Sequence, residues 1–216
     1  MSTHSFQSDF HIIRNHYSYL LNTYGDCPEG VQWRDRNTQE RRMEILLQIG
    51  ELRTCKVLDF GCGTGHLLTL LKSKLNFHGE YVGYDISPEM ITIARQKFPD
   101  IKFEQRNILT DGIPETFDYI FASGVFNNQL TDNWGWMTTL LTKLFSHTRI
   151  GVAFNALSTY VDYYESNLFY VSPEEVFRFC KSELSPCVTI RHDYQLKPGV
   201  IPFEFSVYVY RCDRVI

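Results

Sequence analysis

The sequence lacks any apolar run that could cross a membrane, and it lacks a charged-then-apolar start. A bilayer span needs about 20 mainly apolar residues in a row, and no stretch of the 216 residues approaches that length. The opening MSTHSFQSDF has none of the pattern of an export signal. We therefore expect a cytoplasmic protein with no membrane partner.

Basic residues are few and scattered. Lys and Arg number 21 against 25 Asp and Glu, the formal net charge is -4, and the only adjacent basic pair we single out is Arg41–Arg42. A chain with this balance has no overall positive field to attract a phosphate backbone. We therefore expect no nucleic-acid partner. Hydrophobic residues at 44% are ordinary for a globular domain.

The six cysteines have no spacing typical of a metal site. They stand at positions 27, 55, 62, 180, 187 and 212, without a CxxC pair and without the Cys/His ligand spacing of zinc sites. Because no export signal precedes them, we expect reduced thiols. The sequence predicts no bound metal.

Two amphipathic helices are predicted in a segment of residues 1–50. Phe10, Ile13 and Tyr17 recur at helical spacing in the first, and Gly25 can end it. Asn37 and Glu40 offer a capping-box start to the second helix. We expect this segment to be an extension, and possible roles for it are a lid over a pocket or packing alone.

From residue 51 to residue 216 the pattern alternates between strands and helices. The predicted strands are 56–60, 81–85, 102–105, 117–123, 149–154, 188–193 and 205–210. The predicted helices between them are 66–75, 88–97, 134–145 and 173–181. Alternation predicts an α/β fold with a doubly wound, mostly parallel sheet of seven strands. The last two strands follow each other directly, which predicts one antiparallel strand at the C-terminus.

A glycine-rich loop follows the first strand, in the run Val57-Leu58-Asp59-Phe60-Gly61-Cys62-Gly63-Thr64-Gly65. Glycine suits a backbone that turns tightly and lets a ligand lie against it. Asp85, at the end of the second strand, can accept hydrogen bonds from ribose hydroxyls. A dinucleotide loop GxGxxG would need glycine where His66 stands. These features alone leave S-adenosylmethionine and a nicotinamide dinucleotide both open.

The sequence over about residues 50–212 resembles the class I S-adenosylmethionine-dependent methyltransferases, which have a Rossmann-like fold. VLDFGCGTG is similar to their first motif, GYDIS to the second, and FDYIFAS to the fourth-strand motif. The resemblance implies the following cofactor-binding residues: Asp59, Gly61, Cys62, Gly63, Gly65, Asp85, Ile86, Asn107, Ile108 and Ser123. The glycines would lie beneath the methionine part, Asp85 would hold the ribose, and Ile86 and Asn107 would meet the adenine. We expect Cys62 to matter for its small size and not as a nucleophile.

The acceptor side is predicted at the carboxyl ends of the later strands. His192 is the candidate general base because its usual pKa suits proton removal near neutral pH, and Asp193 or Glu204 could orient it. The alternative is that these groups brace the connection between the last two strands. A tyrosine-rich stretch, residues 155–170, could form a lid together with Trp33, or it could be a packed surface loop.

These observations predict methyl transfer from S-adenosylmethionine to an O or N atom of a small-molecule acceptor. The alternatives are a peptide or protein acceptor, a non-catalytic protein that binds S-adenosylmethionine, and a nicotinamide-dependent oxidoreductase. The oligomeric state and the identity of the acceptor leave no mark on the sequence.

Overall fold

Strands and helices alternate from residue 56 onward in the computed structural model, which describes residues 6–33 and 35–212. The helices are α1 (Gln7–Tyr24), α2 (Arg36–Leu46), α3 (His66–Leu75), α4 (Pro88–Lys97), α5 (Ile108–Asp111), α6 (Asn133–Ser146) and α7 (Pro173–Phe179). The strands are β1 (Lys56–Phe60), β2 (Glu80–Asp85), β3 (Lys102–Gln105), β4 (Phe117–Ala122), β5 (Thr148–Ser158), β6 (Tyr170–Val171), β7 (Cys187–Arg191) and β8 (Glu204–Tyr210). The predicted α/β fold is confirmed.

The strands form one sheet in the order β3-β2-β1-β4-β5-β8-β7, with β6 paired to β5 off that path. β1 to β6 pair in parallel, whereas β8 runs antiparallel to both β5 and β7. The predicted antiparallel C-terminal strand is therefore confirmed. The sheet has eight strands and not seven, because Tyr170 and Val171 pair with Leu157 and Ser158 at the carboxyl end of β5. Two residues are too short a run to carry a sequence period.

Alternate side chains of each strand enter two separate apolar cores. Leu58 and Ile120 point into the core that α6 and α7 cover, and Val57 and Phe121 point into the core that α2, α3 and α4 cover. This alternation is the period of two that a strand imposes on its side chains. Burial on both faces explains why β1 and β4 are mainly apolar, although each contains one acidic residue, Asp59 and Asp118. Parallel pairing of β1 with β2 and with β4 places the carboxyl ends of these three strands at one edge of the sheet.

The two predicted N-terminal helices are present in residues 6–33 and 35–50. α1 ends at Tyr24, where Gly25 has φ 76° and its N–H donates to the carbonyl of Leu21 at 2.8 Å. α1 spans 18 residues, and no helix in the described part of the chain is long and apolar enough to cross a bilayer. The division of the chain at residue 50 stays a prediction.

The start of α2 differs from the predicted capping box. Asp35 is the N-cap, and its Oδ1 accepts from the backbone N–H of Thr38 at 2.8 Å. Asn37 and Glu40 lie inside the helix, so the prediction for the cap was wrong by two residues. An extended residue directly before the first turn is what capping requires, and Asp35 has that conformation. At α7 the N-cap is Ser172, whose side chain accepts from the backbone N–H of Glu175 at 3.2 Å.

Two of the six cysteines form a disulfide, which contradicts the expectation of reduced thiols for this pair. Cys187 begins β7 and Cys212 follows β8, and their Cα atoms are 5.9 Å apart. The antiparallel register sets Cys187 opposite Tyr210, two residues before Cys212. The sequence separation of 25 residues carries no signal of this pairing. The other cysteines are free thiols: Cys27, Cys55, Cys62 and Cys180.

Candidate active site

The glycine loop turns sharply after β1 and requires glycine at several positions. Gly61, Gly63 and Gly65 have φ of 75°, 53° and 83°, in the left-handed region that other residues rarely adopt. A Cβ on Gly61 would lie 2.7 Å from Cγ2 of Val125. The N–H groups of Gly61 and Cys62 both donate to the carbonyl of Tyr84, at 2.8 and 3.0 Å, which ties the loop to β2. The backbone of this loop therefore forms a surface that side chains leave open.

Asp85 ends β2 and holds the loop from the other side. Its Oδ2 accepts from the N–H of Gly63 at 2.8 Å, and its Oδ1 accepts from the N–H of Ser87 at 2.9 Å. Burial raises the pKa of Asp85 above its usual range, although these hydrogen bonds oppose the shift. A carboxylate oxygen has two lone pairs, so each oxygen can accept a further hydrogen bond from a ligand.

Asp59 is a second buried carboxyl at this edge of the sheet. The hydroxyl of Tyr81 donates to its Oδ2 at 2.6 Å. Burial raises the pKa of Asp59 to about 7, with a smaller opposing effect from the hydrogen bond. The carboxyl of Asp59 can therefore exchange a proton near neutral pH.

A cavity that opens to solvent lies over the glycine loop. Nine of the ten predicted cofactor-binding residues line it: Asp59, Gly61, Cys62, Gly63, Asp85, Ile86, Asn107, Ile108 and Ser123. Gly65 does not line it. Gly65 is the residue before α3, and a Cβ there would lie 3.0 Å from Phe103. Asn107 has a second task, since its Oδ1 accepts from the N–H of Leu109 at 3.1 Å and caps α5.

The cover of the cavity comes from the N-terminal segment. Side chains from α1, α2 and the turn between them line its outer wall: Phe10, Ile13, Tyr17, Val31, Trp33, Gln39 and Met43. The helical period of α1 indicated an apolar face, but period alone could not distinguish a face on the core from a face on a ligand cavity. Burial raises the pKa of Tyr17 to about 12. Trp136 of α6 also lines the cavity and had no signal in the sequence; its ring lies 4.7 Å from that of Phe10.

His192 and Asp193 lie outside the residues that line the cavity. Nε2 of His192 is 2.9 Å from the carbonyl oxygen of Pro202, across the connection between β7 and β8. Asp193 pairs with Arg191, Oδ1 to Nε at 2.7 Å, instead of orienting the imidazole. This geometry favours the brace over the general base, and the catalytic role of His192 stays a prediction.

Glu204 is buried beneath α2, away from the cavity wall. Nε of Arg42 donates to its Oε2 at 2.8 Å, and the hydroxyl of Tyr194 donates to its Oε1 at 3.3 Å. The Glu204 side chain is 0% exposed and that of Arg42 is 8% exposed, so this is an ion pair inside the core. The described hydrogen bonds of Glu204 go to Arg42 and Tyr194 and not to His192, and a role for Glu204 in orienting His192 stays a prediction.

The tyrosine-rich stretch packs on the surface and does not cover the cavity. Tyr160, Tyr163 and Tyr164 are 59, 60 and 61% exposed. The backbone of this stretch pairs with the segment after β4, through the N–H of Phe169 and the carbonyl of Asn127 at 2.8 Å. Of the two predicted lid segments, only the N-terminal one therefore contributes residues to the cavity wall.

Comparison with known proteins assigns the family. Residues 52–156 match the model of a methyltransferase domain. A Mycobacterium tuberculosis protein described as a methyltransferase is 34% identical over 157 residues, which is 70% of this chain and 90% of that protein. The chain belongs to the class I S-adenosylmethionine-dependent methyltransferases. This excludes the nicotinamide alternative that the glycine loop and Asp85 had left open.

Other methyltransferases match over less of their length or at lower identity. The trans-aconitate 2-methyltransferase of Rhodopseudomonas palustris is 33% identical over 96 residues. These residues make up 44% of this chain and 37% of that enzyme. The magnesium protoporphyrin IX methyltransferase of Synechocystis, with bound S-adenosylhomocysteine, superposes with a TM-score of 0.67 at 14% identity, over 93% of this chain and 99% of that one. An N-methyltransferase of Bradyrhizobium japonicum superposes with a TM-score of 0.66 at 18% sequence identity, over 92% of this chain and 97% of that one. These structures share the fold.

The methyltransferase site of this chain fits S-adenosylmethionine. Oγ of Ser123 and Nε1 of Trp136 belong to residues that line the cavity, and both atoms are buried without a hydrogen-bond partner among the described residues. Buried polar atoms of this kind call for a polar ligand. The glycine cradle and the paired acids Asp59 and Asp85 suit a ligand with hydroxyl and ammonium groups. In residues 6–33 and 35–212 there is no cluster of acids, His and Cys that could hold a metal ion.

Proposed function

We propose that this methyltransferase transfers a methyl group to an O or N atom of a small-molecule acceptor. The observation that carries the proposal is the roofed cavity: the glycine loop and the inner face of α1 and Trp33 line one and the same space. A cavity closed by helices on its outer side suits a small molecule better than an extended chain. The net charge of -4 likewise disfavours a nucleic-acid acceptor.

We assign tasks to five of the residues that line the cavity. Gly61 and Gly63 present bare backbone to the methionine part, Asp85 accepts hydrogen bonds from the ribose, and Ile86 and Asn107 contact the adenine. When bound, S-adenosylmethionine supplies a methyl group on a positive sulfur, which needs no further activation. The protein's remaining work is to align the acceptor with that methyl and to exclude water. The apolar cover formed by α1 serves the second of these tasks.

Methyl transfer from labelled S-adenosylmethionine tests the proposal. The protein would be incubated with a small-molecule extract of bacterial cells and, separately, with the macromolecules of the same cells. We expect label in the small-molecule fraction together with S-adenosylhomocysteine, and less transfer by the Asp85→Ala variant at the same subsaturating concentration of S-adenosylmethionine. Label on macromolecules, or binding of the cofactor without turnover in either fraction, would contradict the proposal.

We also propose a cytoplasmic location. Four free thiols support it, and Cys62 and Cys180 among them are buried. The disulfide between Cys187 and Cys212 is the opposing observation, because such bonds are rare in a reducing compartment. Thiol labelling of the protein in intact cells tests the location: cytoplasmic protein should carry this pair reduced.

A further inference from the structure

Charge is distributed unevenly along the cavity wall. Four Asp, His or Arg residues line it in residues 6–33 and 35–212, and all lie in or just after β1, β2 or β3: Asp59, His66, Asp85 and Arg106. All four have partners within the protein: His66 contacts Glu40 at 3.1 Å, Arg106 contacts Glu104 at 2.8 Å, and the two carboxyl groups accept the hydrogen bonds described above. The half of the cavity at the end of β4, beneath the N-terminal cover, is lined by uncharged side chains among these residues. This is the half away from the ribose-binding Asp85.

Trp33 forms the wall of this uncharged half. The edge of its indole meets Gly124, which follows β4: a Cβ on Gly124 would lie 2.6 Å from Cζ2 and 3.0 Å from Cη2 of the indole. Gly124 has φ 73° and therefore adopts a conformation that glycine favours. The close approach of the ring to the backbone leaves a flat aromatic surface beside the end of β4, with Val31 and Met43 nearby on the wall.

A buried ion pair holds the indole in place. Cζ of Arg42 lies 4.3 Å from the centroid of the Trp33 ring, which is the distance of a cation–π contact. Nε of Arg42 donates to Glu204, and its Nη1 donates to the carbonyl of Thr38 at 3.1 Å. Arg42 itself does not line the cavity, and Glu204 neutralises its charge. The guanidinium therefore supports the wall from behind and is not presented to an acceptor.

Uncharged polar atoms surround Gly124; among their residues Ser123 lines the cavity, whereas Asn127 and Asn155 lie behind it. Oγ of Ser123, Oδ1 of Asn127 and Nδ2 of Asn155 are buried and have no hydrogen-bond partner among the described residues. The two asparagines flank Gly124: Oδ1 of Asn155 accepts from its N–H at 2.8 Å, and Nδ2 of Asn127 would lie 3.8 Å from its Cβ position. These groups offer both donors and acceptors but no charge.

We propose that this half of the cavity is the acceptor site, and that it takes an uncharged, flat molecule carrying a hydroxyl or amino group. The proposal rests on the proposed function. Trp33 supplies a face for stacking, and Ser123 supplies a neutral hydroxyl, unpartnered among the described residues, on the same cavity wall. A polycarboxylate would lose its water of hydration in this half of the cavity and find no positively charged side chain of the described residues in return, so its binding would cost free energy. The acceptor class thus differs from the tricarboxylate named for the trans-aconitate methyltransferases.

Calorimetry on the protein saturated with S-adenosylhomocysteine tests this proposal, with phenol and trans-aconitate as the probes. We expect phenol to bind and trans-aconitate to give no binding. Removal of a stacked ring costs about 0.5–1.5 kcal/mol, so Trp33→Ala should weaken phenol binding by roughly two- to twelvefold. Trp33→Phe, which keeps a ring, should stay closer to the wild type. Tyr163→Ala is the matched control, because that aromatic residue is exposed outside the cavity.

Three results would overturn the proposal. The first is binding of trans-aconitate that is stronger than that of phenol, the second is absence of phenol binding, and the third is phenol binding that Trp33→Ala leaves unchanged. The titration with S-adenosylhomocysteine that precedes each experiment reports separately on the proposed function and on the folding of each variant. If the protein does not bind S-adenosylhomocysteine, the proposed function is contradicted. If it binds S-adenosylhomocysteine but not phenol, only the proposed acceptor class is contradicted.

Discussion

Asp85 connects the glycine loop to the start of α4 through the N–H groups of Gly63 and Ser87. Alanine at this position leaves both N–H groups without their acceptor and removes the proposed partner of the ribose. We expect Asp85→Ala to weaken S-adenosylhomocysteine binding by about 1–3 kcal/mol, which is roughly five- to 150-fold. Calorimetry on the folded variant measures this loss of affinity. Asp100→Ala is the matched control, because Asp100 is exposed. Unchanged affinity in Asp85→Ala would remove this residue from the site.

The buried carboxyl of Asp59 makes stability depend on pH in a direction opposite to that of most acids. Because its pKa is raised to about 7, the folded protein keeps a proton that the unfolded chain releases near pH 4. The contribution of Asp59 to stability is therefore fully present in acid and is lost as the pH rises toward about 7. We expect the melting temperature of the wild type to fall relative to that of Asp59→Asn over this window. Parallel curves for the two proteins would contradict the raised pKa.

His192 offers a choice between two roles that a single substitution separates. If its contact with the carbonyl of Pro202 braces the β7–β8 connection, His192→Asn should lower the melting temperature and leave turnover per folded molecule within a few-fold. Removal of a general base would instead cut turnover by about 10²- to 10⁴-fold. The geometry predicts the first pattern. Thermal unfolding and the rate per folded molecule, measured on the same preparation, distinguish the two.

At the scale of elements, local chemistry was predictable and long-range pairing was not. The glycine loop, the Pro88 helix start and the Gly25 stop each depend on neighbours in sequence, and the structure has all three. The ion pair between Arg42 and Glu204 joins residues 162 apart, and no pattern in either segment indicates the other. The sequence therefore indicated the cofactor side of the cavity but gave no sign of the ion pair that holds Glu204.

The apolar face of α1 lines the outer wall of the cavity. Asp9 holds this helix against the rest of the domain. Oδ1 of Asp9, a residue 0% exposed, accepts from the hydroxyl of Thr131 at 3.1 Å. A ligand beneath α1 should stabilise the helix, because its opening would then cost the binding energy as well. We expect S-adenosylhomocysteine to slow hydrogen exchange of the α1 amides and to leave those of α7 unchanged. Equal exchange in α1 with and without the ligand would show that the helix only packs.

At the scale of the whole molecule, the sheet brings one charged and one neutral region together in a single cavity. The strand order places β1 beside both β2 and β4, so that the glycine loop lies between Asp85 on one side and Ser123 on the other. Ligands of doubly wound sheets bind at this crossover in strand order. The N-terminal helices cover this space from outside. The cavity wall therefore needs both these helices and the strand ends of the sheet.

Calorimetric titration of the wild-type protein with S-adenosylhomocysteine, and in parallel with NADH, tests the central claim most directly. The account requires one binding site per chain for S-adenosylhomocysteine, because a single cavity contains the glycine loop, Asp59 and Asp85. It predicts no binding of NADH, since His66 occupies the position where a dinucleotide loop needs glycine. Saturable binding of S-adenosylhomocysteine alone is the predicted result. Binding of NADH, or no heat with S-adenosylhomocysteine, would contradict the account.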